Sequence, residues 1–448
     1  MLTLKGPPAR LRPGRQIFLA FAIAALIGAA LLMLPIATES PGGASLSTAL
    51  FTATSAICLT GLVVVETHTH WSLFGQIVIL VLIQLGGFGV MSFASIVGIG
   101  IIRRFSLQSR LVAAAESRTT DLADMRAVVL GIIKVSLIVE ICTAVVLAAR
   151  FSTTYGESLP RAAWWGVFHA VSSFNNAGFA LFDDSFMQFA GDPVISLALC
   201  GAIILGGIGF PVILQLRKYP RTPRSWSMNT RIVLWATVLL FIGGTIFITV
   251  LEWNNQATLG SHDWSDRILV GFFQSVQTRS AGFNSVDTGA MEPATWLGMD
   301  TLMFIGGGPA GTAGGIKVTT FAVLFFIIVA EIRGDAVVNI FGKRLSRAVH
   351  RQAITVALLS VAIVIASTCV LMLITGLSLD IILFEVISAF ATVGLSTGVT
   401  PELPLSAKLI LIALMFIGRL GPFAVASSLA LRERHLLYEL PKERPIIG

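Results

Sequence analysis

The sequence predicts an all-α polytopic membrane protein built from four membrane–pore–membrane repeats with pseudo-fourfold symmetry. Hydrophobic residues make up 55% of the 448 residues and charged residues only 12%, which is far from the composition of a soluble domain. Apolar runs of roughly 20 residues recur, the length that a helix needs to cross a hydrocarbon core. Basic residues fall in five groups between these runs, and four short windows of similar sequence recur.

The basic groups predict the orientation of the chain. They are Lys5, Arg10, Arg12 and Arg15; Arg103, Arg104, Arg110, Arg118 and Arg126; Arg217, Lys218, Arg221, Arg224 and Arg231; Arg333, Lys343, Arg344, Arg347 and Arg351; and Arg432, Arg434, Lys442 and Arg444. By the positive-inside rule, all five groups and both termini face the cytoplasm of a cell membrane. The net charge of +7 is therefore interpreted as membrane orientation, with no nucleic acid as partner.

Three apolar stretches lie between successive basic groups, although only an even number of crossings keeps those groups on one face. In the first unit the stretches are 17–34, 46–57 and 74–102. We therefore predict two full crossings and one re-entrant pore helix per unit, which gives eight spanning helices and four pore helices. A re-entrant segment is tolerated where its unwound backbone is buried in protein or lines a watery path.

The repeats divide the chain into pore units at 1–110, 111–225, 226–345 and 346–431, followed by a predicted cytoplasmic tail at 432–448. Four windows align without gaps: FTATSAICLTGL, FHAVSSFNNAGF, FFQSVQTRSAGF and FEVISAFATVGL. Each has glycine in its eleventh place, at Gly61, Gly178, Gly282 and Gly394. A second set (LGGFG, LGGIG, IGGGP and IGRLG) follows these glycines by 25, 28, 24 and 24 residues. That second set is consistent with close helix packing or with a hinge.

The windows supply the chemistry of an ion filter. An ion leaving water needs oxygens to replace its hydration shell, and backbone carbonyls of several loops can form such a ring. Glycine allows the backbone torsions that this requires, and the C-terminal end of each short helix favours a cation. The predicted filter residues are Ile57, Cys58, Leu59, Thr60 and Gly61; Asn175, Asn176, Ala177 and Gly178; Thr278, Arg279, Ser280, Ala281 and Gly282; and Ala391, Thr392, Val393 and Gly394. They include no carboxylate, which disfavours a divalent ion.

The second crossing of the third unit is predicted to be broken, and nothing comparable is predicted for the other units. Its glycines and proline cannot hold a continuous helix, and a broken helix at membrane depth should line a cavity. We interpret it as a gate below the filter, with packing adaptation as the alternative. The predicted gate residues are Gly306, Gly307, Gly308, Pro309, Ala310, Gly311, Thr312, Ala313, Gly314, Gly315 and Lys317, together with Arg419.

Charged side chains within apolar segments are costly and are usually functional. Arg419 replaces a glycine of the second set and is expected either to place positive charge on the pore or to anchor a helix through an acidic partner. Arg279 lies in the third filter window. Because a guanidinium beside the path would repel cations, we expect it to point backwards and to tie down the loop.

The motifs resemble those of the Trk/Ktr/HKT superfamily of potassium transport proteins. The likeness extends over roughly residues 15–431 and is carried by TSAICLTGL, FNNAGF, QTRSAGFNS, FATVGLSTGVTPEL and FIGRLGP. Because only one crossing precedes the first window, the chain is most similar to the Ktr-type membrane subunit. The resemblance implies a filter at the four aligned glycines, with potassium selectivity from Gly61, where sodium-transporting relatives have serine. It also implies an intramembrane gating loop and a pore arginine at Arg419.

The resemblance implies partners as well. Such subunits form homodimers in which each protomer has its own pore, and they dock on a cytosolic ring of nucleotide-binding regulatory subunits. ATP or ADP would bind that partner; this chain would carry no covalently bound cofactor, only potassium as the transported ion. Sodium dependence of potassium uptake is a further family feature. Cys58 departs from the family, since many relatives have threonine there.

Two other classes of function compete with a gated potassium channel subunit. A sodium-coupled secondary potassium transporter with alternating access can also be built from broken helices, although five same-side basic groups oppose inverted repeats. An enzyme is not predicted, because no nucleophile, phosphate-binding or dinucleotide motif stands in a suitable context.

Overall fold

The computed structural model describes residues 13–105 and 121–421. The predicted tail at 432–448 lies outside these ranges. In units 1 and 2 the helices are α1 (Pro13–Leu32), α2 (Leu46–Cys58), α3 (Thr67–His70), α4 (Leu73–Phe105), α5 (Asp121–Thr154), α6 (Leu159–Phe174), α7 (Pro193–Gly207) and α8 (Phe210–Lys218). In units 3 and 4 they are α9 (Met228–Glu252), α10 (Trp264–Ser280), α11 (Pro293–Phe304), α12 (Val318–Arg333), α13 (Arg347–Thr375), α14 (Leu379–Ala391) and α15 (Leu405–Leu420).

Each unit contains a short helix that ends beside its aligned glycine: α2, α6, α10 and α14. The C-terminal halves of these four helices are buried. The helices pack in a closed order, because α4 contacts α6, α7 contacts α10, α11 contacts α14, and α15 contacts α2. The four short helices therefore lie at the centre, and the second helix of each unit joins it to the next.

The outer helices present apolar side chains outward. On α9, Leu239 is 65% exposed, and on α13, Leu373 is 87% exposed, which suits contact with lipid rather than water. Among the described residues, α5 from Val128, α9 and α13 are long and apolar enough to cross a membrane. The bent pair of α7 and α8 makes a fourth such candidate. The structure therefore shows a helical membrane protein, and the eight crossings stay a prediction.

The second helix of unit 2 is broken, which the sequence interpretation missed. Helices α7 and α8 meet at an angle of 95°, and Gly209 between them has φ +91°. Pro211 has no N–H to donate and its ring would clash with the Gly207 carbonyl, so the helix cannot continue. The prediction of a broken second helix in unit 3 alone was therefore wrong.

Among the described residues, unit 3 also contains one short β-hairpin. Strands β1 (Asn339–Ile340) and β2 (Lys343–Arg344) pair antiparallel. Phe341 and Gly342 form the two-residue turn, both at positive φ, as that hairpin type requires. The hairpin follows α12 and packs near its end.

Candidate functional site

The four aligned glycines share one backbone conformation. Gly61, Gly178, Gly282 and Gly394 have φ values of +83°, +73°, +74° and +96°. Residues with a Cβ atom rarely adopt this region, because the side chain approaches the following carbonyl. The windows therefore require glycine at this place for a local reason, independent of helix packing.

The glycines also form a closed ring. A Cβ atom added at Gly61, Gly178, Gly282 or Gly394 would lie within 2.5 Å of a carbonyl oxygen from another unit. Those oxygens belong, in the same order, to Ala177, Ala281, Val393 and Thr60. Each is the residue immediately before the glycine of the next unit, so unit 1 touches unit 2, and unit 4 returns to unit 1. The structure thus brings all four predicted windows together.

The short helices end in a shared way in units 1, 2 and 4. Leu59, Asn176 and Thr392, each two residues before its glycine, have φ between +50° and +57°. The next N–H bonds the carbonyl five residues back in each case, as from Thr60 to Ser55 at 2.8 Å, which satisfies a free helix-end carbonyl. In unit 3 the helix continues to Ser280. Ser280 is therefore helical, unlike its counterparts Leu59, Asn176 and Thr392.

The second glycine set packs against the ends of the short helices. In units 1, 2 and 4, a Cβ atom at Gly86, Gly206 or Gly418 would overlap a pore-helix carbonyl four residues before the aligned glycine. Those carbonyls belong to Ile57, Phe174 and Phe390. Close packing is therefore what these glycines provide in the structure. The Ile57 carbonyl therefore lies against α4.

Buried side chains brace the loops from behind. The Glu385 carboxylate accepts from the Thr397 N–H at 2.9 Å and from the Thr400 hydroxyl at 2.6 Å. His169 Nε2 accepts from the Leu181 N–H at 3.0 Å. Glu385 and His169 share the second place of their windows, and residues 181 and 397 both lie three residues after the aligned glycine. Two units thus use one position to fix the chain that leaves the ring.

A second brace joins units 1 and 2. Gln84 on α4 and Asn175 after α6 both donate to the buried Glu140 carboxylate of α5, at 3.0 and 3.3 Å. Asn175 also donates to the Gln84 side chain at 3.1 Å. The side chain of this predicted filter residue therefore points away from the ring and stiffens it.

A cavity of about 270 Å³ opens above the ring, and all four aligned glycines line it. Its wall also carries the carboxylates of Glu66, Asp183, Asp184 and Asp287. These acids are not among the site residues predicted from the sequence. The available signal was their register, because Glu66, Asp183 and Asp287 each lie five residues after an aligned glycine. Val399 takes that place in unit 4.

The acids of this cavity interact with one another. Burial and the nearby Asp183 carboxylate raise the pKa of Glu66, and His68 partly opposes this. His68 Nδ1 lies 3.2 Å from the Asp183 carboxylate. A cavity lined by one sign of charge above a narrow passage concentrates counter-ions.

Neutralising two of these acids is expected to slow cation entry. For Asp183→Asn/Asp287→Asn we expect initial uptake at low ionic strength to fall by about three- to tenfold, and the loss to shrink at high salt because screening replaces the lost field. Initial rates of monovalent-cation uptake in proteoliposomes at two ionic strengths measure this. The matched control Asp263→Asn/Asp380→Asn removes two acids that do not line the cavity. Equal losses in both variants would show that the cavity acids have no special role.

The predicted gate is a buried loop closed on itself. Ile305 and Ile316 form a parallel bridge, and the Gly306 N–H donates to the Ile316 carbonyl at 2.9 Å. All residues from 306 to 317 are buried except Pro309 and Lys317, which are partly buried. Non-helical backbone is tolerated at membrane depth when protein surrounds it in this way.

The loop joins the break in unit 2. The N–H groups of Gly308 and Thr312 donate to the carbonyls of Gly207 and Gly206, at 2.8 and 3.1 Å. The Thr312 hydroxyl donates to the Phe174 carbonyl at the end of α6, at 3.2 Å. The Gly206 and Gly207 carbonyls are free because α7 ends at Gly207, and the Phe174 carbonyl is free because α6 ends there. The two broken helices therefore satisfy each other.

The loop also reaches unit 4. A Cβ atom at Gly314 would overlap Thr392 in the fourth window, and Arg419 Nη1 donates to the Thr312 carbonyl. Lys317 Nζ donates to the Ala313 carbonyl within the loop. Arg419 is 4% exposed, and its Nε and Nη2 have no partner among the described residues. The acidic partner expected for an anchoring role is not found within those ranges.

The Arg279 side chain contacts the predicted gate loop and α9. Its Nη2 donates to the Gly306 carbonyl at 3.1 Å, and its guanidinium stacks over Phe241 of α9 at 4.6 Å, a favourable cation–π arrangement. Arg279 and Arg419 thus hold the loop at two places, Gly306 and Thr312.

A carbonyl ring inside an apolar helical shell is the kind of site that a membrane cation transport protein uses. The profile of the cation transport protein family TrkH matches residues 8–434. The chain therefore belongs to the TrkH family, and the resemblance read from the motifs is confirmed. The family is one of cation transport proteins, not of enzymes.

Several characterised relatives match nearly the whole chain. The Ktr system potassium uptake protein B of Bacillus subtilis (strain 168) is 38% identical, over 95% of this chain and 94% of the relative. The protein of the same name from Vibrio alginolyticus is 39% identical, over 97% and 94%. The potassium/sodium uptake protein NtpJ of Enterococcus hirae is 34% identical, over 98% of both.

A solved structure has the same fold. The potassium transporter TrkH from Vibrio parahaemolyticus superposes with a TM-score of 0.75, over 95% of this chain and 86% of that chain, at 18% identity.

Proposed function

We propose that the chain is the ion-conducting membrane subunit of a Ktr-type potassium uptake system, with a four-loop carbonyl filter. The closed ring of glycines and carbonyls carries this proposal. In it, four units contribute one backbone carbonyl each beside the glycine of a neighbouring unit, and such oxygens would serve as the filter for a monovalent cation. Two relatives are named for potassium uptake in Ktr systems.

The proposed orientation places the acid-lined cavity outside and the basic groups in the cytoplasm. Each unit then has two crossings and one re-entrant helix, eight crossings in all, with both termini inside. The third and fourth basic groups meet in the structure, because one pocket is lined by Arg224, Arg231 and Phe341, and Phe341 lies beside Lys343 and Arg344. That meeting supports a common side for both groups.

The loop at 306–317 is proposed as the gate, held closed by Arg279 and Arg419. Its hydrogen bonds to Gly206 and Gly207 would have to break for it to leave the passage. We further propose a homodimer that docks on a cytosolic ring of nucleotide-binding subunits, with ATP or ADP on that partner. The energy of nucleotide binding would then act on this loop from outside the chain.

A sodium-coupled potassium transporter with alternating access is the second candidate. Two adjacent broken helices, in units 2 and 3, are also how coupled transporters are built, and one relative is named for both potassium and sodium. Potassium uptake by purified protein in liposomes, with and without an imposed sodium gradient, separates the two. A pore conducts potassium without that gradient, whereas a strictly coupled transporter does not.

The variant Gly61→Ser tests the filter. A Cβ atom there would lie 2.5 Å from the Ala177 carbonyl oxygen, so the carbonyl has to move and the fit to potassium is lost. We expect the potassium-to-sodium permeability ratio to fall by about tenfold, which corresponds to about 1.4 kcal/mol. Gly156→Ser is the matched control, because Gly156 has φ +69° and no atom within 4 Å of an added Cβ. Unchanged relative permeabilities in folded Gly61→Ser protein would remove the filter assignment.

A further inference from the structure

A pocket of about 520 Å³ lies at the start of α9, on the surface of the protein. One face of the helix forms its wall, because Arg231, Leu234, Trp235 and Val238 line it at the spacing of i, i+3, i+4 and i+7. The connection before the helix adds Arg224. The pocket therefore has a charged end and an apolar wall.

The charged end consists of two arginines without an acidic partner. Arg231 Nη2 donates to the backbone carbonyl of Arg224 at 2.7 Å, which holds the two residues side by side. Neither forms an ion pair with any residue in the described ranges. Two arginines that line one pocket and have free donors suit a phosphate, which arginine can bind in a bidentate manner.

The apolar wall continues along α9 beyond the pocket. Trp235 is 63% exposed and Val238 is 49% exposed, and Leu239, Ile242 and Ile246 extend the same exposed strip. Because α9 is long and apolar enough to cross a membrane, this strip leads from the charged end toward the bilayer core. A cytosolic protein could not extend along this strip into the bilayer, and a free phosphate has no apolar part that would contact it.

Phe341 closes the pocket from the other side. It stands at the tip of the β1–β2 hairpin with φ +48°, a conformation that bulky residues rarely adopt. Its ring is 41% exposed and lines the pocket with Trp226. Aromatic rings at the end of a spanning helix are typical of the level of the lipid headgroups.

We propose that this pocket binds an anionic phospholipid from the cytoplasmic leaflet. The headgroup phosphate lies between Arg224 and Arg231, and an acyl chain lies along Leu234, Trp235 and Val238. Basic pockets on the cytoplasmic side of spanning helices recognise anionic headgroups in this way. The hairpin and α9 belong to unit 3, so the lipid bridges the start of that unit and the segment that follows its broken helix.

Quenching of tryptophan fluorescence by brominated lipids tests the site. The purified full-length chain is reconstituted in phosphatidylcholine vesicles with increasing fractions of phosphatidylglycerol brominated in its acyl chains. The signal of Trp235 is the difference from the variant Trp235→Phe. We expect the double variant Arg224→Gln/Arg231→Gln to need about thirtyfold more phosphatidylglycerol for half quenching, from the contribution of two basic residues.

The matched control is Arg221→Gln/Arg333→Gln, which removes two exposed arginines outside the pocket. We expect its half-quenching fraction to stay within about twofold of the parent. Arg224→Gln alone, at an exposed position, is expected to give about a fivefold change and keeps the test if the double variant does not fold.

Three results would overturn the proposal. Equal shifts in the control would show diffuse surface charge, and equal quenching by brominated phosphatidylcholine would show no headgroup preference. Protection of Trp235 from both lipids would show that a second copy or another protein covers the pocket. Potassium transport is not the readout, so the result is independent of the proposed pore.

Discussion

Potassium uptake by the variant Gly282→Ala is expected to fall by more than about tenfold, the equivalent of 1.4 kcal/mol or more in ion stabilisation. Gly282 has φ +74°, and an added Cβ would overlap the Val393 carbonyl of unit 4 and approach Gly394. The methyl group therefore displaces one carbonyl and one glycine of the ring together. Flux into proteoliposomes, normalised to folded protein, measures the effect.

The variant Gly376→Ala is the control that distinguishes disturbance of the ring from the cost of placing alanine in a left-handed conformation. Gly376 ends α13 with φ +70° and has no atom within 4 Å of an added Cβ. Both variants carry the cost of a left-handed alanine, about 1–2 kcal/mol, but only Gly282→Ala disturbs a neighbouring carbonyl. We expect near-normal flux in Gly376→Ala. Equal flux in the two folded variants would argue against a ring in which the four units touch.

The variant Arg419→Ala is expected to raise potassium flux by about tenfold or more. Arg419 donates to the Thr312 carbonyl of the loop, and a hydrogen bond from a charged group contributes about 1.5–3 kcal/mol. Its removal frees the loop on the side of unit 4 and takes a positive charge away from the passage. Uptake by the chain without regulatory partner, before and after substitution, measures the change.

Arg419→Lys distinguishes the two contributions of this side chain. Lysine keeps the charge but lacks the planar fork of donors. A flux near that of the parent indicates that the charge is the barrier, whereas a flux near that of Arg419→Ala indicates that the bond to the loop matters. Equal or lower flux in folded Arg419→Ala would contradict a role in closing the pathway.

Local sequence was sufficient to predict the short helices and the glycines that follow them. The four windows share one signal, a glycine in the eleventh place at a position in the left-handed region. The shortest helix prediction, at 46–57, differs from α2 (Leu46–Cys58) by one residue. The sequence also contains the constant spacing between the aligned glycines and the acids of the outer cavity. That spacing indicates a shared cavity only when the units are known to surround one axis.

Contacts between distant segments could not be predicted. The break after Gly207 exposes carbonyls that are satisfied by Gly308 and Thr312, about 100 residues later in the sequence. The local signal for the break itself is Pro211, whereas no proline follows the LGGFG motif, which stays helical in α4. The partners of Glu140 are distant in the same way, because Gln84 lies on α4 and Asn175 follows α6.

The position of the ion itself tests the four-loop filter most directly. Crystals of the full chain grown in rubidium, with sodium-grown crystals as control, would locate the ion by its anomalous scattering. The ring predicts a rubidium peak on its axis, within coordination distance of the carbonyl oxygens of Thr60, Ala177, Ala281 and Val393. No such peak is expected in the sodium-grown crystals. A peak elsewhere in the chain with none in the ring would contradict it.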